Sequence, residues 1–349
     1  MDKRSFLKMF GLSMAALSTS GAFASFDTKQ LSKPLLKPKV LKKGDTIGLI
    51  TPAGPLHNED HIAQSKELLE ALGFKVKEGK YIRTQYGHLA GTDEERIEDL
   101  HAMFADPEVK GMLCVRGGSG ASRLLDRLDY DLIRSNPKVL LGYSDITALI
   151  MAFYTKIGLV SFHGAVGNSQ WSNRMARAFE EQFYDNKLQK FINPEDTADT
   201  IIPYNNRITT IHKGTAEGTL LGGNFTLITG LCGSEYLPDF KDAILFIEEI
   251  GENMSRLDRM FCQLKNTGIL SSIKGFVFGH CTDCNPIQGE YSSLNLHQLF
   301  TDYIKPLGIP AFSGARIGHI RDQFILPVGV QVRMNADEGT IELLEQALL

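Results

Sequence analysis

Short apolar runs alternate with helix-patterned segments through the first half of the chain, and nearly every run ends in a turn rich in glycine or proline. That alternation confines this half to a mostly parallel sheet with helices on both faces. Asp45-Thr46-Ile47-Gly48-Leu49-Ile50 reads as a strand stopped by Thr51-Pro52-Ala53-Gly54-Pro55. His61 to Leu72 has helical spacing and closes at Gly73, and Phe74 to Glu78 then alternates like a strand. Thr92-Asp93-Glu94-Glu95 is a capping box, and the helix it opens is expected to run to about Ala105, before Asp106-Pro107. Lys110 to Val115 is the next strand and ends in Arg116-Gly117-Gly118-Ser119-Gly120; a helix is expected over Ala121 to Leu128. Lys138 to Leu141 is a further buried strand. In such a sheet a site forms at the carboxyl ends of the strands, which makes the Gly117 loop and the turn after Leu141 neighbours.

That turn is Gly142-Tyr143-Ser144-Asp145, followed by Ile146 to Ile157, apolar at nearly every position and free of Pro and Gly. A serine on a tight strand-to-helix turn is exposed, with helix amides behind it and a backbone donor ready for an oxyanion. Two readings stand side by side. Ser144 is a nucleophile, or it caps the following helix, which Ser does well; the second glycine of a full nucleophile elbow is missing.

The first residues form a separate unit. Asp2-Lys3-Arg4-Ser5-Phe6-Leu7-Lys8 leads into the apolar stretch Met9 to Ala24, which closes on Ala22-Phe23-Ala24. A basic start, a short apolar core and an Ala-x-Ala exit make a secretory signal, here a one-arginine variant of the twin-arginine type. The core is too short and too broken by Ser, Thr and Gly to span a membrane comfortably. The sequence therefore divides into a signal at 1–24, a lead-in at 25–40, a nucleophile domain at 41–170, a linker at 171–212 and a second domain at 213–349. The expected location is periplasmic, without a stable membrane anchor after processing; the alternative is a cytoplasmic protein with a greasy start. With 349 residues, 43% of them hydrophobic, the chain is long enough for two domains, and a net charge of -4 without a long basic run argues against nucleic acid as a partner.

Five cysteines follow the signal, an odd number that does not suit a fully paired framework. Cys281-Thr282-Asp283-Cys284 follows His280, but no second pair completes a metal shell, so a local disulfide after export is the better reading and no metal is expected. The second domain shows apolar runs at Gly218 to Asn224, at Ala243 to Ile247 ending in Glu248-Glu249, and at Gly275 to Gly279, with a helix at Arg256 to Leu264. Phe324 to Pro327 is strand-like. Ser172 to Asn206 reads as a polar connection with some helix around Met175 to Phe183.

A serine nucleophile needs a base, and the base needs an acid to hold it. Of nine histidines, His319 stands on a glycine-relieved loop, Ile317-Gly318-His319, just before a strand, while His163 lies in Ser161-Phe162-His163-Gly164 after an apolar run. Glu248 ends a continuous apolar strand, where an ionised carboxylate is costly unless it enters a cleft or is paired. From residue types alone, Ser144, Glu248 and His319 are one combination among several.

The order of motifs narrows the choice. Arg116-Gly117-Gly118, Gly142-Tyr143-Ser144-Asp145-Ile146-Thr147, Phe162-His163-Gly164, Gly222-Gly223-Asn224, Phe246-Ile247-Glu248-Glu249-Ile250-Gly251-Glu252, Leu257-Asp258-Arg259-Met260 and Gly318-His319 follow one another as in the LD-carboxypeptidases of the serine-peptidase S66 group, which they resemble from about Leu41 to the C-terminus. The resemblance implies an α/β fold of two domains with the site between them. The first would be a three-layer, glutamine-amidotransferase-like domain, and the second a smaller α/β domain of swivelling type. It also implies a triad of Ser144, Glu248 and His319, with Glu249 as the competing acid and Glu252 and Arg259 pairing within the second domain. The oxyanion would rest on the Asp145 N–H and a glycine N–H of Gly117 or Gly118, while the Asp145 side chain acts as a structural cap. Arg116 either receives the substrate's terminal carboxylate or braces its loop.

The implied reaction removes D-Ala from a murein tetrapeptide, with no cofactor, and relatives imply a homodimer. Two features depart from the family: the export signal, and Ser119 where an aromatic is common. The rivals are a microcin-immunity-type amidase, which would need a stacking aromatic such as Trp171, and an exported wall-peptide-binding protein without catalysis.

Overall fold

The computed structural model describes residues 34–195, 201–202, 207–284 and 293–349. The expected signal and most of the lead-in lie outside these residues; Pro34 to Leu349 forms one compact unit. No helix of the described residues is long and apolar enough to cross a membrane.

Strands β1 (Thr46–Ile50), β2 (Lys75–Glu78), β3 (Val109–Cys114), β4 (Val139–Gly142) and β5 (Ser161–His163) build the first sheet in the order β5-β4-β3-β1-β2, all parallel. β3 and β4 are buried almost throughout, as strands covered on both faces must be. Helices α1 (Asp60–Ala71), α2 (Asp93–Ala105), α3 (Tyr130–Ser135) and α4 (Thr147–Ile157) make the crossovers. The capping box at α2 forms as the sequence indicates, the Thr92 hydroxyl accepting from the Glu95 N–H and the Glu95 carboxylate from the Thr92 N–H.

The helix expected over Ala121 to Leu128 does not form. A single 3₁₀ turn at Ala121–Leu124 takes its place, and α3 starts only at Tyr130, where Asp129 accepts the N–H groups of Asp131 and Leu132. The segment is held to the Ser144 turn across 24 positions of sequence, the Asp145 carboxylate taking the Ala121 N–H at 2.7 Å.

After α5 (Asn173–Phe183), the second sheet is assembled from β6 (Lys190–Phe191), β7 (Thr209–His212), β8 (Thr215–Asn224), β9 (Ile244–Ile250), β10 (Gly275–Thr282), β11 (Ala311–Ser313), β13 (Gln331–Asn335) and β14 (Thr340–Leu343), in the order β6-β14-β13-β8-β9-β10-β11-β7. Its centre, β8-β9-β10-β11, is parallel and its flanks are antiparallel. The polar stretch after Trp171 thus contributes a strand, β6, to this sheet. The strand-like run near Phe324 is β12 (Leu326–Val328), and it pairs antiparallel with β5, extending the first sheet. Helix α6 (Phe225–Gly230) packs on β8 and β9, and α7 (Met254–Asn266) sets Phe261 against Phe276 and Phe278 of β10.

α4 joins the two halves. It is buried from Thr147 to Phe153 and contacts β5 on one side and β8 and α6 on the other. A helix enclosed on all sides has no polar face to keep, which accounts for the unbroken apolar sequence that follows Ser144.

Candidate active site

β4 ends at Gly142, and the chain turns sharply through Tyr143 into the 3₁₀ turn Ser144–Ile146 and then α4. Ser144 sits at φ 61°, in the left-handed region that non-glycine residues avoid at a cost of about 1–2 kcal/mol. Neither the 3₁₀ turn nor α4 carries a side-chain cap at its start, so the capping reading of Ser144 has no bond to support it. Gly117 lies directly against Ser144: a Cβ at that position would stand 2.8 Å from the Ser144 Cβ and 3.1 Å from Oγ. The two strand-end loops are therefore neighbours, and only glycine fits the contact. The Asp145 carboxylate is buried, its pKa raised by that burial, and is occupied with the Ala121 N–H, as a structural cap should be.

The loop over Ser144 is braced from below by Arg96, a buried residue in α2. Its guanidinium donates to the carbonyls of Pro52 and Gly120, each at 2.9 Å, and pairs with Asp93. Arg116 donates from Nη1 to the Pro55 carbonyl at 2.8 Å, which is the bracing arrangement.

The candidate acid stands on the second sheet, and the candidate base on the loop between β11 and β12. Glu248, fully buried on β9, accepts from His319 Nδ1 at 2.8 Å through Oε2 and from the Asn224 side-chain amide at 3.2 Å through Oε1. That bond assigns the proton to Nδ1 and leaves Nε2 as the base lone pair. Gly318 has φ +115°, and a Cβ there would meet the Glu248 carboxylate at 2.7 Å, so the loop can deliver His319 to the acid only with glycine before it. Glu249, the competing acid, is consumed elsewhere. Its carboxylate receives the Thr226 N–H and hydroxyl, the Ile250 N–H and the Asn224 amide, fixing the start of α6. Burial raises its pKa.

Two contacts bring the halves of the site together. The Tyr143 ring packs on the His319 imidazole, centroids 4.7 Å apart. The Asn224 N–H donates to the Thr147 hydroxyl at 3.0 Å, linking the first turn of α4 to the residue that holds Glu248. Ser144, Asp145 and Gly117 thus lie on one side, and Glu248 and His319 on the other, with Tyr143 and Asn224 between them.

The expected local disulfide, between Cys281 and Cys284, is present, and of the expected ion-pairing residues of the second domain Glu252 has a partner. Glu252 pairs with Arg256 at 2.6 Å, not with Arg259, which is exposed on α7. Trp171 donates its indole N–H to the Val166 carbonyl and packs edge-on against Phe179. Arg96, Tyr143 and Thr147 were not singled out in the sequence. Thr147 and Tyr143 at least share the motif of Ser144, whereas Arg96 looks like any charged residue of a surface helix.

Residues 47–164 match the LD-carboxypeptidase N-terminal domain and residues 217–334 the LD-carboxypeptidase C-terminal domain, and the chain belongs to this family. Its relatives carry both of the names that the sequence suggested. A probable murein peptide carboxypeptidase of Bacillus subtilis (strain 168) is 39% identical over 304 residues, covering 87% of this chain and 93% of that protein. The microcin C7 self-immunity protein MccF of Escherichia coli is 29% identical, covering 91% and 98%. Among solved structures, apo MccF superposes with a TM-score of 0.80 at 26% identity, covering 90% of this chain and 100% of that one. The muramoyltetrapeptide carboxypeptidase from Oxalobacter formigenes superposes with a TM-score of 0.72 at 28% identity, covering 85% and 97%.

Proposed function

We propose that this protein is a serine-type LD-carboxypeptidase that removes the terminal D-Ala from murein tetrapeptides. The observation that carries the reading is the buried Glu248 holding His319 Nδ1, with the imidazole packed on Tyr143, the residue before a serine forced into the left-handed region. The names of its relatives supply the substrate class.

In the proposed reaction, His319 Nε2 takes the Ser144 hydroxyl proton as Oγ attacks the carbonyl of the third residue. Glu248 stays ionised and stabilises the imidazolium. The oxyanion is received by the N–H of Asp145 and a glycine N–H of the Gly117–Gly118 loop. When the C–N bond breaks, His319 returns the proton to the leaving D-Ala amine. A water, deprotonated by the same imidazole, then hydrolyses the acyl-enzyme and restores Ser144. Arg116 spends Nη1 on Pro55 and offers its other guanidinium donors to the substrate's terminal carboxylate. With a signal at 1–24, the protein would act on wall peptides outside the cytoplasm.

The rival is cleavage of a peptide–nucleotide conjugate, the reading that likeness to MccF raises. Trp171, the one tryptophan of the chain, is committed to Val166 and Phe179, which disfavours it as a stacking platform. Incubating the mature protein separately with a disaccharide tetrapeptide and with an aminoacyl sulfamoyl adenosine, and following both by mass spectrometry, decides between them. Loss of one D-Ala from the tetrapeptide is expected; cleavage of the conjugate alone would overturn the proposal.

A further inference from the structure

The Cys281-Thr282-Asp283-Cys284 turn is not absorbed by the mechanism, yet it touches both members of the acid–base pair's support. Across from Glu248, β10 carries an extra residue: Phe278 pairs with Ile247, and pairing resumes with Cys281 opposite Glu249. The irregularity turns Gly279 and His280 toward the base loop, and the His280 N–H donates to the Ile317 carbonyl at 2.9 Å. Two residues later the Thr282 hydroxyl donates to the His319 carbonyl at 3.0 Å, while the Thr282 carbonyl accepts the Gly251 N–H at 2.9 Å. Thr282 thus links the loop of the base to the end of the strand that bears Glu248.

What holds Thr282 there is covalent. Asp283 takes φ 55° and turns the chain back, so that Cys284 closes on Cys281 with the Cα atoms 5.5 Å apart and Thr282 inside the ring. Asp is among the few non-glycine residues that take this conformation readily, as Asp242 and Asp322 also do, so the turn forms without the bond and the bond is what makes it permanent.

We propose that Thr282 is a positioning residue for His319 and that the Cys281–Cys284 disulfide is the clasp that fixes it. The activity of this enzyme then depends on the oxidising state of its surroundings. A dithiol reductant transfers two electrons and two protons to the clasp. The S–S bond becomes two thiols, the reductant closes to its own disulfide, and the Thr282 hydroxyl loses its fixed aim at the His319 carbonyl. Both cysteines are partly exposed, so such a reagent has access. Because the imidazole must meet the serine hydroxyl within a fraction of an ångström, a small shift of the loop is expensive in rate.

The inference rests on the proposed role of His319, and its test keeps the two separable. The first readout needs no substrate: the low-field Nδ1–H proton resonance of His319, identified by its loss in His319→Gln. It is expected in the oxidised wild type and in Thr282→Ser. In Thr282→Val, in Cys281→Ser/Cys284→Ser and in dithiothreitol-treated wild type it should be shifted or broadened. The second readout is tetrapeptide turnover, in which the same three proteins should lose about tenfold in kcat with KM little changed, and Thr282→Ser should retain wild-type rate. Dithiothreitol should not slow the double serine variant further. An unchanged resonance and a kcat within about twofold in Thr282→Val and after reduction would overturn the proposal, as would quantitative alkylation of both thiols in the untreated protein. If the resonance responds as described but no protein cuts the tetrapeptide, the clasp stands and the substrate reading falls.

Discussion

His163 offers a prediction whose size can be worked out. The ring is fully buried on β5, edge-on to Tyr143 and Phe246, and neither nitrogen meets a hydrogen-bond partner among the described residues. Burial is the leading cause of a pKa pushed down to about 4 from the 6.5 of a free imidazole; the His319 charge adds to it and the Glu248 charge opposes it. The sign follows from proton uptake. Between those two values the unfolded chain binds a proton that the folded ring refuses, so stability is fully present above pH 6.5 and is lost as pH falls toward 4. At 1.36 kcal/mol per pH unit the loss is about 2 kcal/mol at pH 5 and about 3 kcal/mol at pH 4. Replacing His163 with Leu removes this term. The buried carboxylates Asp99, Asp145 and Glu249, whose pKa values burial raises, tilt the pH dependence the other way but are common to both proteins. Urea-unfolding free energies of wild type and His163→Leu, measured near pH 7 and near pH 5, should therefore diverge by about 2 kcal/mol, with the variant less sensitive to acid. Parallel pH dependences would show that the ring is solvated or partnered, and would refute the reasoning.

Substitutions at four further positions separate the parts of the site. Gly117→Ala drives a methyl into Ser144 and should lower kcat by about 10- to 100-fold with the circular dichroism spectrum unchanged; a wild-type rate would remove the close approach. Glu248→Gln and Glu249→Gln should behave oppositely. The first should lose about 10³- to 10⁴-fold in kcat at nearly native stability, and the second about 1–3 kcal/mol of stability with most of its activity kept. Equal losses of activity would mean that the two carboxylates share one role. Arg96→Met strands the Pro52 and Gly120 carbonyls and should cost about 2–3 kcal/mol in urea unfolding, a cost that an Arg96→Lys protein should only partly recover.

What could be read in advance was local. The Thr92–Glu95 box announced α2, the run after Ser144, apolar at nearly every position, announced a helix, and the carboxylate at the end of an apolar strand announced a partner for Glu248. What could not be read was set by distant contacts. Ala121 to Leu128 has helical pattern, but Asp145, more than twenty positions away, claims its first N–H. Asp129, a sound N-cap signal, lies just past that expected helix, and α3 starts there instead. β12 has strand character in sequence, yet nothing local says that it will leave the second half of the chain and pair with β5. Asn224 showed only as part of a Gly-Gly-Asn motif; its work of holding Glu248, Glu249 and Thr147 at once depends on where β8, β9 and α4 meet. The family pattern puts the acid first in the Glu248–Glu249 pair, and the physical reason, Thr226 occupying Glu249, lies in the start of α6.

The central claim is that Ser144 attacks the L,D bond, and the most direct measurement is D-Ala released from a disaccharide tetrapeptide by the mature protein beside Ser144→Ala, with the muropeptide product weighed by mass spectrometry. Release by the wild type, with a product lighter by one alanine residue and at least about 10³-fold less from the variant, is the expected result. Comparable release by Ser144→Ala would mean that the strained serine is no nucleophile and that the triad of Ser144, Glu248 and His319 is wrong.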